Sequence, residues 1–319
     1  MKKKLLSLLA LLAVLLTGCG RQTQTKVIPI SSLSPSATLQ SSQEPSSQEG
    51  EESAAQPTPY QRIDETGSTL ATRINPPEGY TRVFAQDGIF TAFLRQYPLA
   101  ESGAEVLLYN GETRQDAGAA AVLNITLSDK NHEGPAGAMA RLLSEYHYTA
   151  ARYSAISFTL GAQFDFGFER WSEGKLLSVD GNSVKWESGG ETGTSAENFT
   201  AYLNTLFRYI SVDTLKKDLT LIEDPDATPI QVGDIFIGKD ANGKAVCAMV
   251  ADLATNDVTG KQIMLLIEGG APAQQAHVME NGGDEELSPW YDCSFELSLK
   301  TPDASYDIEQ RYRPKALDG

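Results

Sequence analysis

The sequence predicts an α+β fold, a single domain in which helices pack on a largely antiparallel sheet. Three observations lead there. Apolar residues at helical spacing bunch in the first half of the globular region, whereas short apolar runs separated by turn residues fill the second half. The chain shows no internal repeat and no regular alternation of strand and helix, which argues against a parallel sheet. No linker-like stretch divides Arg73 from Pro314, so residues 73–319 are expected to form one domain.

The elements follow in order. Met1-Lys-Lys-Lys4 is a basic start, and Leu5–Leu16 is an apolar run too short to span a bilayer. Leu16-Thr-Gly-Cys19 resembles the bacterial lipobox. That resemblance implies a signal peptide over 1–18 and a Cys19 that carries acyl chains, palmitate among them. Such a lipoprotein is held on the extracytoplasmic face of the cell membrane, each buried methylene contributing about 0.8 kcal/mol. Residues 19–72 follow as a linker rich in Ser, Gln, Pro, Thr and Glu. Too little apolar surface is present there to offset chain entropy, so a disordered tether is expected, with a reach of about 35 Å for its most polar part, from Gly20 to about Pro59.

In the globular region Phe90, Phe93 and Leu94 lie on one face of a short helix that Tyr97-Pro98 ends. Glu105–Tyr109 and Ala119–Leu127 read as strands around Asn110-Gly111. Gly134-Pro135 opens a helix whose stripe is Met139, Leu142, Leu143, Tyr146 and Ala150, with Arg141, Ser144 and Glu145 off it. Strands are expected at Ile156–Leu160, Phe164–Arg170, Leu176–Val179 and Ser183–Glu187. Thr194-Ser-Ala-Glu197 is a capping box ahead of the stripe Phe199, Leu203, Leu206, Phe207 and Ile210. A short helix over Ser211–Leu219 precedes strands at Ile235–Ile237, Ala245–Val250 and Lys261–Ile267, and a last strand runs from Ser288-Pro-Trp-Tyr291 through Leu299.

Several stretches together resemble a bacterial lipoprotein family, the domain of unknown function 4846. They are Phe93-Leu-Arg-Gln-Tyr-Pro-Leu99, Arg141-Leu-Leu-Ser-Glu-Tyr146, Phe199-Thr-Ala-Tyr-Leu203, Gly233-Asp-Ile-Phe-Ile237, Pro272-Ala-Gln274 and Ser288-Pro-Trp-Tyr291. The family pattern has a Cys-Ala-Asp run at the start of the helix and a Gly-His-Ala run at the start of the strand after Gly-Asp. That layout is similar to the papain-like fold of the NlpC-type cell-wall cysteine peptidases, where a helix dipole and an imidazole activate a thiolate. In this chain the cysteine falls on Pro135 and the histidine on Lys244. Proline offers no nucleophile, and a lysine with a reference pKa near about 10.4 is a poor base at neutral pH. The resemblance therefore implies a papain-like scaffold with a vestigial site at Pro135 and Lys244, a pseudoenzyme.

Other candidates are weighed on the residues themselves. Asp234, Asp252 and Glu268 are embedded in apolar strands, where a carboxylate needs a partner, and Lys244 is the expected one for one of them. Of the three histidines, His132 is expected in an exposed loop and His147 at an exposed helix end. His277 is open between structural hydrogen bonding and a site. None has a metal-ligand spacing, so no metal and no cofactor is expected. Cys247 and Cys293 are read as buried free thiols, with a disulfide, or a reactive Cys293 beside His277, as alternatives. Trp171, Trp186, Trp290 and Tyr291 fit the core or a sugar- or peptide-binding groove. The net charge of −16 repels nucleic acid. The expected role is a binding or scaffolding module at the cell envelope, towards peptidoglycan or an envelope protein. The alternatives are an envelope hydrolase using Cys293 and His277, or a solute-binding lipoprotein.

Overall fold

The computed structural model describes residues 60–161, 163–181, 183–295 and 298–317. The signal segment, Cys19 and the tether as far as residue 59 lie outside the described residues. The first half of the domain holds α1 (Leu70–Arg73), β1 (Tyr80–Arg82), α2 (Phe90–Arg95), β2 (Ala119–Val122), α3 (Pro135–Thr149), β3 (Ser157–Leu160), β4 (Phe164–Gly167) and α4 (Phe168–Ser172). Next come β5 (Glu173–Asp180), β6 (Ser183–Thr192), α5 (Ala196–Phe207), α6 (Val212–Leu215) and β7 (Leu219–Leu221). The rest is strand: β8 (Ile235–Asp240), β9 (Ala245–Asn256), β10 (Gln262–Glu268), β11 (His277–Met279), β12 (Tyr291–Asp292), β13 (Ser298–Lys300) and β14 (Ala304–Pro314).

The main sheet runs β13-β14-β8-β9-β10-β11-β2, with β1, β12 and β7 added at its margins. Among the described residues every strand pair is antiparallel. The fold is thus mixed α+β on a mostly antiparallel sheet, as the sequence predicts. Alternation divides β9 and β10 between two apolar layers. Cys247, Met249, Ala251, Ile263, Leu265 and Ile267 join the large core with α2, α3, α5 and α6. Ala248, Val250, Met264 and Leu266 face the other way, with Phe236, Leu299 and Tyr306.

That second face is concave. Neighbouring strands lie about 4.8 Å apart, so β14 and β10, three steps apart, would be separated by about 14 Å in a flat sheet. Yet Tyr306 on β14 donates a hydrogen bond across this face to Glu268 on β10, at 3.2 Å. Pro302, in the turn after β13 at one edge of the sheet, also rests on Gly118 beside β2 at the other edge, so the sheet curls towards the side away from the helices. Register shifts in β14, between Tyr306 and Arg311, and between Leu265 and Leu266 of β10 against β9 accompany the bend.

Several expectations need correction. The domain takes in more than residues 73–319: Leu70 and Ile74 are fully buried, and Arg62 donates to the Ser288 carbonyl at 2.9 Å. Glu105–Tyr109 forms isolated bridges from Leu107 and Leu108 instead of a strand, and β2 pairs with β11. Phe164–Arg170 turns helical after Gly167. β14, eleven residues long, was not expected; its acidic and basic residues mask the alternation. The helix α3 is buried nearly all round, so Arg141 and Ser144 lie inside rather than off its stripe. Arg141 is tolerated there because Glu133 pairs with it twice, at 2.6 Å each, while Glu145 accepts at 3.2 Å. His147, expected at an exposed end, is buried, and neither ring nitrogen has a hydrogen-bond partner. Burial, then Arg152, pushes it down to about 4.

Candidate functional site

The concave end of the curled sheet gathers the polar groups that the apolar strands cannot satisfy. Glu268 is the last residue of β10 and pairs across the ladder with His277, the first of β11. Both side chains are almost fully buried. Asp303, in the turn between β13 and β14, joins them, and one ligand-type atom from each of the three lies within 4.8 Å of the others. Arg114 holds the turn in place through Asp303 Oδ1 at 2.5 Å. Pro302 beside it rests on Gly118, where a Cβ would lie 2.6 Å from the proline ring and φ is +55°.

Hydrogen bonding fixes the state of each group. His277 Nδ1 lies 3.2 Å from the Gln275 carbonyl, which assigns the proton to Nδ1 and the lone pair to Nε2. Nε2 then faces Glu268 Oε1 at 3.6 Å and makes no hydrogen bond. Burial holds the ring neutral, down at about 4. Burial, then the neighbouring Asp303, pushes the Glu268 carboxyl well above the carboxylate range. Burial acts against Asp303 as well, but hydrogen bonds from Glu268 and Arg114 keep it below its ordinary value. The Tyr306 hydroxyl is raised by burial and stays a donor.

The other candidates are placed elsewhere. Asp234 is fully buried and paired with Arg313 at 2.8 and 3.0 Å. Asp252 is fully buried between Arg82 at 2.7 Å and Arg95 at 2.6 Å. Arginine fills the role expected of Lys244. Lys244 sits exposed in the β8–β9 turn, its backbone N–H on Asp240 at 2.8 Å, and among the described residues no carboxylate lies within 4.0 Å of its side chain. Pro135 opens α3 as its first residue, behind Gly134 and without a side-chain cap. One turn into α3, Ala138 packs on Gly269 just past the end of β10, where a Cβ would lie 2.4 Å from that of Ala138.

The register separates Cys293 from His277. The Cys293 N–H bonds to Gln262 at the start of β10, and His277 pairs with Glu268 at its end. Six residues of strand, about 20 Å, lie between those levels. That is far outside hydrogen-bond reach, so the two cannot act as nucleophile and base. Cys247 and Cys293 are both free thiols and pack on opposite faces of the sheet, which excludes the disulfide. Burial pushes Cys293 up to about 12, so it is a poor nucleophile. Trp171, Trp290 and Tyr291 are core, and Trp186 stacks on Phe166 with ring centres 5.3 Å apart, leaving no aromatic groove among them.

Asp303, Tyr306 and Arg114 escaped sequence reasoning because nothing local marks them; only the curl of the sheet and the β13–β14 turn bring them to Glu268. Residues 70–313 match the family model described as domain of unknown function (4846). No curated protein and no solved structure matches the chain. With most of its length inside that match, this chain belongs to the domain of unknown function 4846 family.

Proposed function

We propose that this is a lipid-anchored extracytoplasmic protein whose folded domain is a papain-like binding or scaffolding module, without peptidase chemistry at the cysteine and histidine positions. The observation that carries the reading is the start of α3. The helix is buried against β9 and β10, as the nucleophile helix of a papain-like fold would be, but its first residue is Pro135. A helix dipole there has no thiol to activate. Support for the missing base comes from Lys244, which stands exposed in the β8–β9 turn where the family pattern has its histidine. Anchoring follows from Cys19 at the end of the apolar segment. Peptidoglycan or an envelope protein is the partner that such a location offers.

The test uses the full chain. Labelled palmitate should be incorporated into the wild type and not into Cys19→Ala. Incubated with peptidoglycan fragments, the protein should release no products, while co-sedimentation with sacculi tests the binding role. Lys244→Ala should change neither result and should alter stability by less than about 0.5 kcal/mol, as for other exposed turn positions. Cleavage that disappears in Lys244→Ala would overturn the inert reading.

A further inference from the structure

We propose that Glu268, His277 and Asp303 form a site for one divalent transition-metal ion of the zinc class, clamped between the end of β10, the start of β11 and the β13–β14 turn. The inference rests on which lone pairs the cluster leaves open. His277 has its Nδ1 engaged by the Gln275 carbonyl at 3.2 Å, so the free lone pair is on Nε2. That nitrogen belongs to a side chain that is 0 % exposed, has no hydrogen-bond partner, and is aimed at Glu268 Oε1. Tyr306 occupies Glu268 Oε2 at 3.2 Å and leaves Oε1. Arg114 occupies Asp303 Oδ1 at 2.5 Å and leaves Oδ2, also buried, towards Glu268. Each residue is thus oriented through one atom and presents the other, which is how outer-shell groups hold metal ligands.

The spacing agrees. Two ligands on a tetrahedral ion with bonds of about 2.0–2.1 Å stand about 3.4 Å apart. The separation of His277 Nε2 from Glu268 Oε1 is 3.6 Å. Asp303 closes the set by a side-chain rotation, which its 24 % exposure leaves room for. One imidazole and two carboxylates suit zinc or a neighbouring first-row ion, whereas magnesium and calcium prefer oxygen ligands alone. An ion seated there would meet the open Nε2 lone pair of His277 and take the place of the hydrogen bond from Glu268 to Asp303. Ligands so far apart in the chain make no local motif, which is why the sequence reading expected no metal. This inference is independent of the papain-like reading and of the lipid anchor.

The test is calorimetric titration of the full chain, purified in detergent and stripped with EDTA, with ZnCl2. One Zn2+ per chain should bind at micromolar affinity or tighter, undisturbed by a large excess of MgCl2 or CaCl2. Asp303→Asn should weaken binding about tenfold or more. His277→Gln should abolish it, and His132→Gln, an exposed histidine, should leave it unchanged. Cobalt loaded in place of zinc should give visible absorption that the same two variants lose. Absence of binding, or equal binding by the wild type and Asp303→Asn, would overturn the proposal, the latter by moving the ion to the acidic surface. If His277→Gln does not fold, Asp303→Asn decides the matter alone, because its side chain lies at the rim.

Discussion

The strand pair β9–β10 buries two carboxylates, one at mid-strand and one at the end, and their surroundings differ in kind. Asp252 lies opposite Leu265 at the register shift and is 0 % exposed. Both of its oxygens face arginine: Arg82 on one at 2.7 Å, Arg95 on the other at 2.8 and 2.6 Å, with the Leu253 N–H adding a fourth donor at 2.8 Å. Nothing is left over. Glu268, at the end of β10, accepts from one hydroxyl, gives a hydrogen bond to Asp303, and faces the unpartnered Nε2 of His277. Burial is common to both, so burial does not make a site. The difference lies in the neighbours: donors close a carboxylate off, and acceptors leave a place for a cation.

The largest effect should come from the closed site. Asp252→Ala strands two guanidinium groups against the sheet, and a broken buried pair costs about 3–5 kcal/mol. Urea unfolding of the full chain should show that loss, towards its lower end because Arg82 and Arg95 keep 20 % and 14 % exposure and can reach water. A loss under about 1 kcal/mol would mean that the arginines are satisfied elsewhere, and the contrast with Glu268 would collapse.

A third buried group, whose ring nitrogens make no hydrogen bond, sharpens the contrast. His147 shares the lining of a small cavity with Ser144, Ser157, Phe158, Leu215 and Asp218, and both of its ring nitrogens are unpaired. Its folded pKa of about 4 lies below the unfolded value. The unfolded chain thus takes up a proton first, and stability that is full above pH of about 6.5 is lost as pH falls towards 4. By pH 5 the loss is about 2 kcal/mol. His147→Phe, of similar shape and without the nitrogens, should be more stable than wild type at pH 7 by about 1 kcal/mol and should lose less between pH 7 and pH 5. Parallel melting curves for the two proteins would show that His147 is protonated freely and therefore not buried as described.

Much of the scaffold was legible because it depends on short-range chemistry. Pro135 behind Gly134 acts within a few residues, and its helix starts where the pattern puts it; the box at Thr194–Glu197 is one residue early, since Ser195 is the cap and accepts from the Asn198 N–H. The site was legible in half. Glu268 and His277 stood out as polar residues in apolar surroundings, a signal that burial produces directly. Their partners did not. Tyr306 lies in, and Asp303 just before, a strand whose charged residues hide its alternation, and Arg114 lies in a segment that the sequence assigns to a turn. What unites them is the curl of the sheet, a property of strand order that no local window contains. The same limit misassigned Lys244: a lysine near three buried carboxylates in sequence is a natural partner, but arginines from β1, α2 and β14 arrive first.

The smallest effect on stability, and the finest test of the comparison, is Glu268→Gln. In metal-free protein at neutral pH the raised Glu268 carboxyl keeps its proton. Glutamine has the shape of a protonated acid and can accept from Tyr306 as before, so the substitution should cost less than about 1 kcal/mol, against the several expected at Asp252. The pH dependence gives the sign. The unfolded carboxyl ionises near pH of about 4.3 while the folded one does not, so stability of the EDTA-treated wild type should fall as pH rises above that point. Glu268→Gln removes that slope, and the two curves should separate progressively from pH 5 to pH 8. Zinc should restore the wild type in the upper part of this range, where displacing the proton is easiest, and do nothing for Glu268→Gln. A variant as damaged as Asp252→Ala at pH 7 would show Glu268 to be ionised and paired, and the two buried carboxylates of β9–β10 to be alike after all.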